Sequence, residues 1–485
     1  MARIVILGAG VAGHTAALHA KRQLGSKHDV IVVSPNAKWN WIPSNIWVGV
    51  GKMTVDQVTF PLAPIYKRKG IEFHQALATE IHPEGDAQHA SPFVVATSTL
   101  PGQEGTPEVI EYDYLINCTG PKLNFGATPG LGPDAGNTMS VCTALHAAET
   151  AKVFKAAIDR CKAGEKLRFV VGTGHGTCTC EGAAFEFTFN VEHELREAGV
   201  RDNAEVVYFT NEAQLGDFGV GGMRFVQQGF ETTSQLWTES LYRERGVQAI
   251  LGAHATKIEP GKVTYEQLDG SMHELDFDFA MLLPPFRGAD LKAFDKAGED
   301  ISDKVFNPAG FLKVDANYAA GDYENWKADD WPKQYVSPLY GNVYAAGIAF
   351  APPHQISKPR KSPNGTIITP APPRTGMPSG MIAKAVAETI ADKVKGRNRP
   401  PHTAPMTGLG AACVASAGTG MLSGSAAAMT MNPVVPNWQK YPQTGRDIHT
   451  TTGEIGLSGH WSKYLLHVLF IYKAKARPFW WLIPE

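Results

Sequence analysis

A chain of 485 residues exceeds what one hydrophobic core supports, so two or three domains are expected. With 43% apolar and 19% charged residues it has the composition of a folded globular protein, which excludes a disordered one. A formal charge of -2 without any long basic run points away from a nucleic-acid partner.

Strand-like residues begin at Arg3 and reach a glycine motif by Gly8, leaving no room for a charged leader and apolar core. No cleavable signal is therefore expected. No run of about 18 uninterrupted apolar residues occurs, so no membrane-spanning helix is expected either. ARIVILGAGVAGHTAALHAKRQLG reads as strand, tight turn and helix, followed by the strand DVIVVSP. Gly8, Gly10 and Gly13 match G-x-G-x-x-G, where glycines let the backbone approach a pyrophosphate at the helix N-terminus. The acid that normally binds a ribose about 20 residues further on is missing; Ser34-Pro35-Asn36 stands there, and Ser34 or Asn36 offers a weaker substitute. EYDYLINCTGP and GNVYAAGIAF read as strands returning to this first unit.

A second strand-turn-helix start lies at KLRFVVGTGHGTCTCEGAAFEF, with EVVYFTNE as its next strand. Here Cys178 and Cys180 stand where a nucleotide's phosphates normally rest. A helix N-terminus favours the thiolate, so the turn reads as built for sulfur, with low-pKa thiols expected. The competing reading is a pair of small buried hydrophobes. A Cys-x-Cys pair seldom bonds to itself, so one of the two is expected to look elsewhere, and Cys413 is the distant candidate. Six cysteines, at 118, 142, 161, 178, 180 and 413, are too sparse for a disulfide scaffold, and pairing among them points to redox chemistry.

Residues 352–376 are proline-rich and basic and read as a long surface loop, a solvated excursion. MPSGMIAKAVAETIADKVKG follows as a helix closing the first unit, and the small residues of 408–432 suit strands packed closely on another surface. Near the C-terminus, Trp461, Tyr464, Leu465, Val468, Leu469 and Tyr472 share one helical face. Leu466, Phe470 and Ile471 widen it; Lys463, Lys473, Lys475 and Arg477 flank it, and FWW follows. This reads as amphipathic helical structure lying in a membrane interface. Burial of the six face residues at ~1.5–3 kcal/mol each would contribute on the order of 10 kcal/mol.

VILGAGVAG, the loop WNWIPSNIWVGVG (39–51), YDYLINCTGPKL, SVCTALHAAE (140–149), CEGAAFEF, VYAAGIA and the cysteine of GAACVA together resemble the sulfide:quinone oxidoreductases. These are flavoproteins of the disulfide reductase group, and the resemblance covers nearly the whole chain. It implies FAD as cofactor, contacted by Gly8, Gly10, Gly13, Ser34, Asn36, Pro43, Thr119, Gly120, Gly347 and Arg374. It implies Cys180 and Cys413 as the redox pair, with Cys178 as an extra, and Cys142 as a third cysteine at the flavin's edge. His146 is expected to share a helix face with Cys142 and to move protons. Lys463, Tyr464 and Val414 are the implied neighbours of the quinone, although interfacial snorkelling is the plainer reading of Lys463 and Tyr464. The chain departs from the family pattern at Asp217, Arg374 and Val414, where histidine, lysine and phenylalanine are usual.

The expected fold class is α/β, with two Rossmann-like dinucleotide-binding domains and a C-terminal membrane-interface region. Residues 1–120 and 300–400 form the FAD-binding domain, 121–299 the second, and 401–485 the quinone and membrane-attachment region. The expected activity is oxidation of hydrogen sulfide to polysulfide or elemental sulfur, with electrons passing through the cysteine pair and FAD to membrane quinone. The expected location is the cell membrane, peripheral and monotopic, with the side and any homo-oligomer left open. An NADH:quinone oxidoreductase is the nearest alternative, with Glu212 serving the ribose of NADH. The others are a flavocytochrome c-type sulfide dehydrogenase subunit, which the lack of a leader disfavours, and a non-enzymatic flavoprotein scaffold.

Overall fold

The computed structural model describes residues 1–134, 136–227, 229–319, 323–373, 376–418 and 424–485. In chain order, β1 (Arg3–Leu7), α1 (Val11–Leu24), β2 (Asp29–Val33), β3 (Glu72–His74) and β4 (Tyr114–Asn117) come first. Then follow α2 (Ala144–Lys162), β5 (Leu167–Thr173), α3 (Glu181–Glu197), β6 (Ala204–Phe209), α4 (Ser234–Arg245), β7 (Val247–Ile250) and β8 (Phe279–Leu283). The chain continues through β9 (Val343–Ala345), α5 (Gly376–Val394), β10 (Ala411–Ala417), β11 (Ser425–Met431), β12 (Thr452–Ile455) and α6 (Leu457–Ala474).

Two parallel sheets organise the molecule. The first has the order β9-β4-β1-β2-β3, so strands far apart in sequence share it. The second has the order β7-β6-β5-β8. The central strands are apolar on both faces; Ile4, Val5, Ile6 and Leu7 are each 0% exposed. Such runs form parallel strands because helices cover both sides of the sheet. In each sheet the order reverses beside the first strand, which opens a crevice at the carboxyl ends of the strands.

The small-residue segment forms β10 and β11, an antiparallel pair extended by β12. Its lack of large side chains lets two helices approach closely. A Cβ on Gly459 of α6 would stand 3.1 Å from the Ala426 Cβ. The chain then runs back to α1. His14 donates from Nε2 to the Ala474 carbonyl at 2.7 Å while its Nδ1 accepts from Tyr66 Oη at 2.9 Å. The Glu485 carboxylate is gripped by His19 at 2.7 Å and Lys473 at 2.6 Å, and the Trp480 ring meets His19 edge-on at 4.9 Å.

Two expectations need correction. Residues 356–373 are a strap bonded to the second sheet's domain, with Ile356, Ser357, Ile368 and Thr369 each at most 2% exposed. The Glu266 carboxylate holds the strap through Ser362, Asn364 and Thr366. The charges assigned to the flanks of α6 also differ. Lys463 and Lys473 point inward and are buried, and Phe470 stacks on Trp41 at 4.6 Å. The outward surface is apolar: Trp461, Tyr464, Leu465 and Val468 are 49%, 44%, 56% and 45% exposed. No helix among the described residues is long and apolar enough to cross a membrane.

Candidate active site

At the end of β1 the chain turns so tightly that only glycine fits. Gly8 has φ +93°, and a Cβ there would lie 2.2 Å from the Cys118 carbonyl oxygen. A Cβ on Gly13 would fall 1.9 Å from the Gly8 carbonyl oxygen, which seats α1 against the turn. By contrast, nothing lies within 4 Å of a Cβ built on Gly10 or Gly120, so the backbone is open there. Thr119 is fixed by two bonds to Asn117 Oδ1, from its amide at 3.1 Å and its hydroxyl at 2.8 Å. Gly347 follows β9 and would clash with Ala12 at 2.6 Å if it carried a Cβ. The cradle thus gathers the turns after β1, β4 and β9 around the α1 N-terminus, an arrangement suited to a pyrophosphate. Ser34 is buried and accepts the Asn36 amide at 3.4 Å, while Asn36 is exposed at the rim. Pro43 lies in the short 3-10 turn Ile42–Ser44. Arg374 falls outside the described residues.

The loop after Pro43 touches every element that carries a candidate redox cysteine. Asn45 donates to the Val141 carbonyl at 3.2 Å, next to Cys142. A Cβ on Gly49 would press on Phe187 of α3 at 2.9 Å. Trp47 Nε1 donates to the Ser416 carbonyl on β10 at 3.1 Å. Cys180 is the N-cap of α3 in a left-handed conformation, φ 69° and ψ 34°. Two residues on, within the first turn of the helix, a Cβ on Gly182 would lie 2.6 Å from Cys413 Sγ. The Cys413 sulfur therefore lies against the first turn of α3, beside Gly182 and two residues from Cys180, 233 positions away by number, and no disulfide joins the two. Any side chain at 182 would displace the Cys413 sulfur.

Cys178 does not join them. It is fully buried, and its thiol donates to the Leu283 carbonyl at 3.1 Å. The low pKa expected of it is overturned, because burial raises it well above the ordinary thiol range and the charge of Glu181 adds to the rise. Burial also pushes the thiols of Cys142 and Cys413 up to about 11. Here desolvation outweighs the helix terminus. Cys142 is not on a helix either. Thr143 caps α2 by accepting the His146 amide at 3.1 Å, so Cys142 precedes the helix and His146 sits in its first turn. The shared helix face expected for the two does not exist. The His146 ring lies 6.1 Å from Phe125 and 3.6 Å from Asp134. Threonine just before ALHAAE was the available cue.

A polar network stands behind Cys413. Lys463 Nζ bonds Glu186 Oε2 at 2.9 Å and reaches the Val414 carbonyl at 3.4 Å. Ser416 donates its amide to Glu186 at 3.2 Å, and its hydroxyl meets His460 Nδ1 at 2.6 Å. Val414 is buried, and Tyr464 lies on the exposed face. Sequence reading missed Glu186, an acid set in the apolar stretch GAAFEF six residues after Cys180.

The second crevice is closed by the chain itself. Thr369 donates its amide to the Gly176 carbonyl at 2.8 Å, and Ala371 donates to the Cys178 carbonyl at 2.9 Å. A Cβ on Gly176 would strike the Ile367 carbonyl at 2.4 Å. The strap thus lies on the turn where a nicotinamide dinucleotide's phosphates would rest. Glu212, expected as a ribose ligand, is buried; it accepts Tyr208 Oη at 3.0 Å, Thr210 Oγ1 at 3.0 Å and the Phe218 amide at 2.8 Å. Both parts of the NADH alternative are thereby lost.

Comparison with known proteins agrees with this layout. The pyridine nucleotide-disulphide oxidoreductase family matches residues 2–328. The sulfide-quinone reductase of Aquifex aeolicus (strain VF5) is 30% identical over 473 residues, covering 97% of this chain and 91% of that one. The X-ray structure of the sulfide:quinone oxidoreductase from that hyperthermophilic bacterium superposes with a TM-score of 0.75, at 27% identity over 98% of this chain and 92% of the other. NDH2 of Plasmodium falciparum, solved with NADH, shares the fold alone, with a TM-score of 0.62 and 14% identity over 99% of this chain and 97% of its own. The chain belongs to the pyridine nucleotide-disulphide oxidoreductases and, within them, to the sulfide:quinone oxidoreductase family. Its cofactor is FAD, and the open glycine cradle fits that group.

Proposed function

We propose that this protein oxidises hydrogen sulfide to polysulfide or elemental sulfur and delivers the electrons to a membrane quinone. The observation that carries the reading is the meeting of the Cys180 turn with Cys413 at Gly182. FAD in the first crevice supplies the two-electron acceptor and donor between the substrates. Hydrosulfide attacks the Cys180 sulfur of a Cys180–Cys413 bond. A new sulfur–sulfur bond forms on Cys180, and the electron pair of the broken bond leaves on Cys413 as thiolate. Lys463 stabilises that thiolate against burial and against the charge of Glu186. Cys142 borders this chemistry through Val141, which accepts from Asn45 of the loop after Pro43, and His146 follows in the first turn of α2.

Quinone is insoluble in water, and the outward apolar face of α6 provides its route. We place the ring near Val414 and Tyr464, with Lys463 held from behind by Glu186. Burial of the α6 face in lipid makes the protein a peripheral membrane enzyme.

Mixing the purified holoprotein with sulfide under anaerobic conditions tests the reading. Sulfide is expected to bleach the flavin absorbance, quinone to restore it, and NADH to leave it unchanged. Cys413→Ser and Cys180→Ser are each expected to keep FAD and lose about a thousandfold or more in sulfide-dependent turnover. Unchanged turnover in Cys413→Ser, or bleaching by NADH and not by sulfide, would overturn it.

A further inference from the structure

The residue that follows Cys180 is an acid with no assigned task. Glu181 opens α3, where the helix terminus favours a carboxylate, yet it is 0% exposed and neither carboxyl oxygen has a hydrogen-bond partner. Its Oε2 lies 3.3 Å from the position a Cβ on Gly219 would take, so the side chain points at the 217–219 turn. Two more acids occupy that pocket. Tyr208 Oη donates both to the Glu181 carbonyl at 3.4 Å and to Glu212 Oε2 at 3.0 Å. Asp217 accepts the Gly219 amide at 3.1 Å and the Ser357 hydroxyl.

The nearby cations serve the outer acid rather than Glu181. Arg446 spends its guanidinium on the carbonyls of Val220, Gly222, Pro433 and Val434. Its charge and that of Arg360 act on Asp217. The Asn211 amide is donated to the Gly176 and Cys178 carbonyls, both at 3.2 Å. A buried carboxylate without a partner costs several kcal/mol, so a group in this setting keeps its proton. Burial first, and Glu212 second, raise its pKa well above the usual range; its own amide and the Asn211 side chain lie near enough to oppose the rise without cancelling it. An ionised Glu181 acts on the Cys178 thiol and raises it, so its charge reaches the 178–180 turn.

We propose that Glu181, held as a neutral acid, is a positioning residue for the sulfide reaction: it keeps negative charge away from the Cys180 turn while anionic hydrosulfide attacks. Ionisation of Glu181 at alkaline pH places a like charge beside the incoming anion and closes the reaction. This inference rests on the reading of Cys180 as a redox sulfur.

The test is the pH profile of the second-order rate constant for flavin bleaching by sulfide in the holoprotein. Wild type is expected to show an alkaline decline, and Glu181→Gln to move that decline upward by a pH unit or more. Glu212→Gln, which removes the like charge beside Glu181, is expected to move the decline downward. The infrared carbonyl band of a protonated carboxylic acid is expected in wild type at neutral pH and to be lost in Glu181→Gln. The unfolding temperature of Glu181→Gln is expected to exceed that of wild type near pH 8 and not near pH 4, because the cost of a buried acid accrues above its unfolded pKa of about 4.3. An alkaline decline unchanged in both variants, or a carbonyl band unchanged in Glu181→Gln, overturns the inference while leaving sulfide oxidation standing. Wild type that sulfide fails to bleach overturns the underlying reading instead.

Discussion

Histidine 14 shows how far burial governs single residues in this protein. It sits one position past the glycine motif, and desolvation lowers its pKa to about 4 against a bond to the Ala474 carbonyl that opposes the drop. The folded state therefore prefers the neutral ring, whereas the unfolded chain titrates near the ordinary value of about 6.5. Stability from this residue is present above the unfolded pKa and is lost as pH falls from about 6.5 to about 4, a loss of roughly 3 kcal/mol over that window. His14→Asn is expected to start less stable at neutral pH and to show a flatter acid limb. Urea midpoints measured across that window check it; parallel limbs in variant and wild type refute it. The same balance explains why the thiol expectation failed at Cys178. Sequence shows the helix terminus that favours a thiolate, but not the Leu283 carbonyl and the apolar walls that oppose it.

At the scale of elements, the strand-turn-helix starts after Arg3 and Lys166 were readable because their apolar runs and glycines are local signals. So was the return of 114–117 and 343–345 as strands. The outward apolar face of α6 was expected too, but the buried lysines behind it were not. Its periodicity defines two faces, and the apolar one would ordinarily turn inward. Here His460, Lys463, His467 and Lys473 face the protein. They do so because partners wait there: Ser416, Glu186, Ser44 and Glu485, all contributed by distant segments. Long-range pairing of this kind leaves no trace in a local window. Replacing Leu465 and Val468 together by Glu is expected to weaken binding to phospholipid vesicles about a hundredfold or more, at ~1.5–3 kcal/mol for each residue. Sulfide bleaching of the flavin is expected to survive. Vesicle flotation reads the outcome, and undiminished binding would remove α6 as the contact.

Across the whole molecule, the C-terminal segment is tied to the helix that follows the first glycine turn, besides its proposed part in membrane attachment. Glu485 is held by His19 and Lys473, and Arg22 stacks on Trp481 at 4.8 Å. Breaking a buried ionic cluster by removing one member costs about 3–5 kcal/mol. Glu485→Gln is therefore expected to lower the temperature of FAD release by several degrees, seen as the onset of free-flavin fluorescence on heating. An unchanged onset would show the tail to be passive. Truncation of the tail is accordingly expected to cost cofactor as well as membrane attachment. The proline-rich strap was illegible for a related reason. Its order comes from Glu266 and the 176–178 turn, not from its own composition.

That strap has a wider effect. The second crevice has been insulated, since backbone of the same chain lies across its turn. On the proposed reaction the flavin draws its electrons from sulfur, and a soluble nicotinamide meets the 176–178 turn already covered by the chain's own backbone. Re-engineering the protein for a nicotinamide donor would mean excising that cover, not repainting a few side chains.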